Sequence, residues 1–205
     1  MKRIAVYGKT TREKNFLMLY LSKVLSVEHK VVLLSERDLL LNEVDCVDYN
    51  DNFVINKHIE DKESTCDFKL IDLTGVFEED KTQAFDITYF VTSPYREDIE
   101  ANEAIIKGLE MPYTVIFQNL IYDLKISTKY LSKRLKITKK THKIYEQYLN
   151  DNDLGIHIEN EYDGQIVMRH LSKDYKELLL QLILDIDLGF KKPSKKWLKK
   201  AMRKA

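Results

Sequence analysis

The N-terminal stretch constrains this chain more than any other part of it. Residues 3–7 (Arg-Ile-Ala-Val-Tyr) form a short run that reads as a buried strand, and Gly8 breaks it. Residues 9–16 (Lys-Thr-Thr-Arg-Glu-Lys-Asn-Phe) then lead into the apolar helical run Phe16-Leu17-Met18-Leu19-Tyr20-Leu21. A strand, a loop with a lysine at each end and a helix is the arrangement that holds a phosphate on backbone N–H groups. Glycines let those groups approach the anion without Cβ clashes, and this loop has none after Gly8.

Strand-like apolar runs and helical patterns alternate along the rest of the chain, which predicts a doubly wound, mainly parallel α/β sheet with helices on both faces. Strands are expected at residues 3–7, 31–34, 53–56, 69–73, 87–91, 113–118, 155–158 and 165–168, and helices near 14–27, 96–109, 127–136, 138–150, 172–187 and 194–204. At 205 residues the chain suits one domain, expected over residues 1–190, with a basic tail at 191–205.

The sequence is 44% hydrophobic and 32% charged, and no run approaches the roughly 18 apolar residues of a membrane span, so a cytoplasmic protein is expected. Cys46 and Cys66 share no ligand spacing with each other or with the five histidines, and neither a metal nor a disulfide is expected. The formal net charge of zero hides a segregation. Residues 125–143 and 191–205 each hold eight Lys/Arg and no acid, leaving 17 basic against 33 acidic residues elsewhere. Such blocks suit anionic partners.

Laid without a gap on Lys-Gly-Gly-Val-Gly-Lys-Thr-Thr, the segment Lys9–Phe16 resembles the deviant Walker A motif of the MinD/ParA branch of P-loop ATPases. Lys9 falls on the signature lysine and Lys14 on the phosphate lysine, while Thr10, Thr11 and Glu13 replace glycines and Asn15 replaces the magnesium-binding threonine. A rival register ends the motif at Gly8-Lys9-Thr10-Thr11. The resemblance continues through Val32-Leu33-Leu34-Ser35-Glu36-Arg37-Asp38, similar to the Asp-x-Asp strand with Ser35 where a hydrophobe is expected. Cys66-Asp67-Phe68-Lys69-Leu70-Ile71-Asp72-Leu73-Thr74-Gly75 resembles the Walker B strand, and Tyr113–Asn119 a strand whose last asparagine contacts adenine in the family.

The resemblance implies nucleotide-binding positions at Gly8, Lys9, Thr10, Thr11, Lys14, Asn15 and Asn119, and acidic positions at Glu36, Asp38 and Asp72. Against this, Glu13 sets a carboxylate where a β-phosphate would lie, a like-charge pair in a poorly hydrated site. Asn15 offers an amide oxygen where magnesium takes a hydroxyl. No catalytic residue and no cofactor is expected, ATP with magnesium binding weakly if at all. Lys9 and Lys14 could instead pair with Glu13, Glu36 or Asp72 and close the site. In the 125–143 block, Leu124, Ile126, Leu131, Leu135 and Ile137 are expected to supply the buried side of a solvated helix.

The tail repeats the separation of charge. Ser194 suits an N-cap, and at 100° per residue Trp197, Leu198, Ala201, Met202 and Ala205 share one arc while Lys195, Lys196, Lys199, Lys200, Arg203 and Lys204 fill the rest. This pattern predicts an interfacial helix on an anionic membrane, as in MinD. The expected function is a nucleotide-impaired, membrane-associated scaffold, homodimeric or heteromeric, like the degenerate MinD/ParA relatives of pilus and secretion systems such as TadZ. The alternatives are an active ATPase working through Lys14 and Asp72, and a partition-type protein binding DNA nonspecifically through 125–143.

Overall fold

The computed structural model of the chain describes residues 1–35, 39, 46–57, 65–75, 84–137, 141–186 and 191–203, the side chains of 191–193 excepted. Glu36, Asp38, Lys139, Lys140, Lys204 and Ala205 lie outside the described residues. Strand β1 (Lys2–Tyr7) alternates, with Ile4 and Val6 facing one layer and Ala5 and Tyr7 the other. Helix α1 (Arg12–Leu25) follows and buries every residue from Phe16 to Leu21. The fully buried strand β2 (Val31–Leu34) precedes a hairpin of β3 (Cys46–Asn50) and β4 (Phe53–Asn56). Next come β5 (Phe68–Leu73), β6 (Ile87–Thr92), α2 (Arg96–Gly108), β7 (Tyr113–Leu120), α3 (Thr128–Arg134) and β8 (Thr141–Tyr148), then α4 (Asp151–Asp163), α5 (Lys173–Ile186) and α6 (Lys191–Ala201).

The eight strands form one sheet in the order β3-β4-β2-β5-β1-β6-β7-β8, parallel except for the β3–β4 pair. From β1 the chain first builds β2 to β5 on one side and later β6 to β8 on the other. The C-terminal end of β1 is therefore the topological switch point, where sheets of this kind bind ligands. Apolar residues of α1, α4, α5 and α6 form the core on one face, and those of α2 and α3 form it on the other. This is the doubly wound α/β architecture that the sequence pattern predicts.

Three expectations fail. The helix expected at 138–150 is the strand β8 over its described part: Ile144, Tyr145, Tyr148 and Leu149 imitate a helical stripe, but parallel pairing to β7 decides the conformation. The strand expected at 155–158 lies inside α4, whose Asn150 side chain accepts the N–H groups of Asn152 and Asp153 and whose end is Gly164 at φ 61°. Residues 165–168 belong to no strand.

The tail is also corrected. Helix α6 begins at Lys191, so Ser194 sits inside it, and its apolar residues Trp197, Leu198 and Ala201 join the core beside α1 and α5. The 191–201 segment is packed on the domain, with its apolar arc turned inward.

Candidate functional site

The loop between β1 and α1 stands at the switch point. Gly8 adopts φ +135°, and a Cβ built on it would lie 2.2 Å from the Val91 carbonyl oxygen, so only glycine fits. Its N–H donates to the Leu73 carbonyl at 3.1 Å, tying the loop to the end of β5. Thr11 takes extended geometry and caps α1, its hydroxyl accepting the Lys14 N–H at 3.1 Å. The capping threonine explains how a helix starts here without the missing glycines.

Lys14 has no solvent exposure. Its Nζ lies 2.7 Å from Asp72 Oδ1 and donates to the carbonyls of Gly8 at 2.7 Å and Leu73 at 3.1 Å. The other carboxylate oxygen of Asp72 accepts the Ser35 hydroxyl at 2.8 Å. The expected pairing of Lys14 with Asp72 is therefore present. Ser35, marked in the sequence only as a departure from the expected hydrophobe, completes the coordination of Asp72.

Lys9 points elsewhere. Its N–H donates to Asn102 Oδ1 at 2.6 Å, and its Nζ reaches Asp98 Oδ1 at 2.9 Å and Glu97 at 3.7 Å. The hydrogen bond to Asp98 holds the Lys9 ammonium above its ordinary pKa. Of the partners named from sequence, Glu13 and Asp72 are not the ones Lys9 takes, and Glu36 lies outside the described residues. Asp98 is fixed in turn by the Ser93 hydroxyl, and Asn102 by Thr92 Oγ1 at 3.0 Å. Acids in the first turn of α2 were visible in the sequence, but their meeting with a lysine some ninety residues earlier comes from the β1–β6 pairing.

The remaining loop positions are confined. Thr10 Oγ1 and Asn15 Oδ1 are buried with no hydrogen-bond partner among the described residues. The Glu13 carbonyl accepts from Gln118 Nε2 at 3.3 Å, and Arg12 pairs with Glu161 of α4 at 3.0 Å. Asn119 is buried in the left-handed region at φ 56°, its N–H donating to Gln147 Oε1 at 3.0 Å. The cavity between Glu13, Asn119, Gln147, Asp153 and His157 measures about 10 Å³, room for one water. His157 stacks on Phe16 at 4.5 Å, and burial, with the nearby Arg12 charge adding, lowers its pKa to about 4.

The two basic blocks differ. In α6, Trp197 is 8% exposed and meets the His29 ring edge-on at 5.1 Å, while Lys195, Lys196, Lys199, Lys200 and Arg203 face water and Met202 is half-buried. Lys200 pairs with Glu28 and lowers its pKa. Of the residues expected to meet a membrane through their apolar arc, Trp197, Leu198 and Ala201 are packed in the core beside α1 and α5, and Ala205 lies outside the described residues. In the 125–143 block, Leu131 and Leu135 are buried as expected and Ile137 packs against the core, but Leu124 and Ile126 are exposed.

The fold is shared with proteins of known structure. A ParA family ATPase from Chlorobium tepidum matches over 99% of both chains at 12% identity, with a TM-score of 0.60. A plasmid partition protein from Borrelia burgdorferi, bound to AMPPNP, matches over 91% of this chain and 98% of that one at 15% identity and 0.57. MinD from Aquifex aeolicus, in its complex with MinC, matches over 100% and 97% at 12% identity and 0.55. No family model matches the chain, and no curated protein matches it in sequence. The chain therefore has the MinD/ParA P-loop fold.

Proposed function

We propose that this chain is a nucleotide-impaired scaffold of the MinD/ParA fold, which positions a larger assembly of secretion or pilus type by binding rather than by hydrolysis. The observation that carries the reading is Lys14. A phosphate lysine must present its ammonium to the anion, and this one is wholly buried against Asp72 and two carbonyls. The same contact occupies the carboxylate that would act on magnesium through water. As arranged, Lys14 and Asp72 do not fit a magnesium nucleotide, because the ammonium and the carboxylate are both buried and turned toward each other.

The likeness to partition and MinD structures supports a positioning role, and a homodimer or a heteromer suits it. Association at the inner face of a membrane would draw on the exposed cations Lys195, Lys196, Lys199, Lys200 and Arg203, each contributing about 1 kcal/mol near an anionic surface. No helix among the described residues is long and apolar enough to cross a membrane.

Calorimetric titration of the full chain with Mg-ATP tests the reading. The expected dissociation constant is weaker than about 100 μM, with no magnesium-dependent phosphate release. Micromolar affinity would sink it and favour the active ATPase.

A further inference from the structure

Among the described residues, six of the eleven large hydrophobic side chains left in water are Tyr95, Ile121, Tyr122, Leu124, Ile126 and Tyr130. They cluster on the segments that follow β6 and β7, at the switch-point end of the sheet. Two of them, Ile126 and Tyr130, line one groove, and exposed apolar side chains grouped in this way mark an interaction surface. Ile126 is 42% exposed and Tyr130 55%, although the sequence assigned Ile126 to the core.

Between α2 and α3 this surface is concave. A groove of about 360 Å³ has buried Ile99 and Leu131 as its floor and Pro94, Ile126 and Tyr130 as its walls. Its rim carries two guanidiniums, Arg96 and Arg134, against the single carboxylate of Glu100. Arg96 pairs with Glu100 at 2.6 Å, and Arg134 lies 3.4 Å from Glu103 outside the groove. Around Arg134 the described part of the basic block adds Lys125, Lys129, Lys133 and Lys136 and no acid. An apolar trough walled on one side by cations selects an occupant with the opposite pattern.

We propose that this groove docks an acidic amphipathic segment of a partner protein. Its apolar residues seat on Ile99, Leu131 and Tyr130, and its carboxylates meet Arg134 and the α3 lysines, with Arg134 able to grip one in two parallel hydrogen bonds. A nucleic acid suits the site less well, because its phosphates would gain nothing from the apolar floor. The inference rests on the scaffold reading, for it names the partner chemistry such a scaffold would use.

The test is fluorescence anisotropy on the full chain with three labelled probes: an amphipathic helical peptide with Leu on one face and Glu on the other, its twin with Lys for Glu, and oligothymidylate. The acidic peptide is expected to bind at roughly 10–100 μM, its lysine twin not at all, and oligothymidylate more weakly than the acidic peptide. Binding should fall at least about tenfold in Ile126→Glu/Tyr130→Glu and in Arg134→Glu. All three substitutions are at exposed positions, and a circular dichroism melt checks that each variant folds. Absence of binding by the acidic peptide, equal binding of the two peptides, binding indifferent to the variants, or capture of oligothymidylate alone would overturn the proposal. The Mg-ATP titration is read separately: tight nucleotide binding removes the scaffold reading and leaves the peptide result standing, while loss of peptide binding does the reverse.

Discussion

Replacing Lys14 with methionine separates a closed site from a working one. Lys14 is fully buried, and its ammonium meets Asp72 and the carbonyls of Gly8 and Leu73 among the described residues. Methionine keeps much of the side-chain volume and removes the charge, leaving Asp72 buried with only the Ser35 hydroxyl. Removing one member of a buried pair costs about 3–5 kcal/mol, chiefly because the other charge stays behind without its partner. For a chain of this size each kcal/mol moves the melting midpoint by about 2–4 °C, so a fall of roughly 10 °C is expected. The double variant Lys14→Met/Asp72→Leu should recover most of the loss, since a buried pair replaced by apolar groups of similar volume is often nearly neutral. Urea unfolding followed by circular dichroism measures all three proteins, and equal m-values confirm that the comparison is one of stability. A Lys14→Met protein within about 0.5 kcal/mol of the parent would refute the reasoning, because it would mean that the ammonium is not held in the structural pair and is free to serve a ligand.

Two further outcomes follow from the same packing. His157 titrates near 4 in the folded chain against an ordinary 6.5, so the unfolded chain takes up the proton first; stability is steady above pH 6.5 and falls as the pH drops to 4, by about 3 kcal/mol at 1.36 kcal/mol per pH unit. His157→Phe should flatten that part of the pH profile in urea titrations, and an unchanged slope would assign the acid sensitivity to other groups. Trp197→Ala should cost about 3–5 kcal/mol as a core truncation, whereas a free tail would lose almost nothing; pelleting with anionic vesicles should survive the change, because the exposed lysines are untouched.

Much of the architecture could be read from periodicity, because buried parallel strands such as Val31–Leu34 are short apolar runs with few rivals. The helix α4 also has its signals in the sequence, Asn150 before it and Gly164 after it, but Ile156 and Ile158 alternate as the residues of a strand do. The strand β8 had no comparable signal. Its Ile144, Tyr145 and Tyr148 lie at helical spacing, and the parallel pairing to β7 that overrides this spacing is set by the order of strands in the sheet. At the site one contact is legible and the others are not. Asp72 as a partner of Lys14 follows from the motif positions, while the cap that Thr11 gives α1 is hidden behind its reading as a lost glycine, and Asp98 reaches Lys9 only after β6 is laid beside β1.

The departures from the nucleotide motif also bear on one another once the contacts are known. A serine at position 35 would waste a core position in an intact Asp-x-Asp strand, yet here its hydroxyl satisfies the oxygen of Asp72 that Lys14 does not reach. A threonine at position 11 would crowd a phosphate nest, yet it caps the helix that carries Lys14. Lys9, at the signature position, is held by Asp98 within its own chain. Substitutions that merely spoiled a binding loop would leave buried polar groups without partners, each at about 1–3 kcal/mol. At positions 11 and 35 the opposite holds, while Thr10 Oγ1 and Asn15 Oδ1 stay buried without partners among the described residues, so the departures at 11 and 35 are the ones that support the Lys14–Asp72 pair.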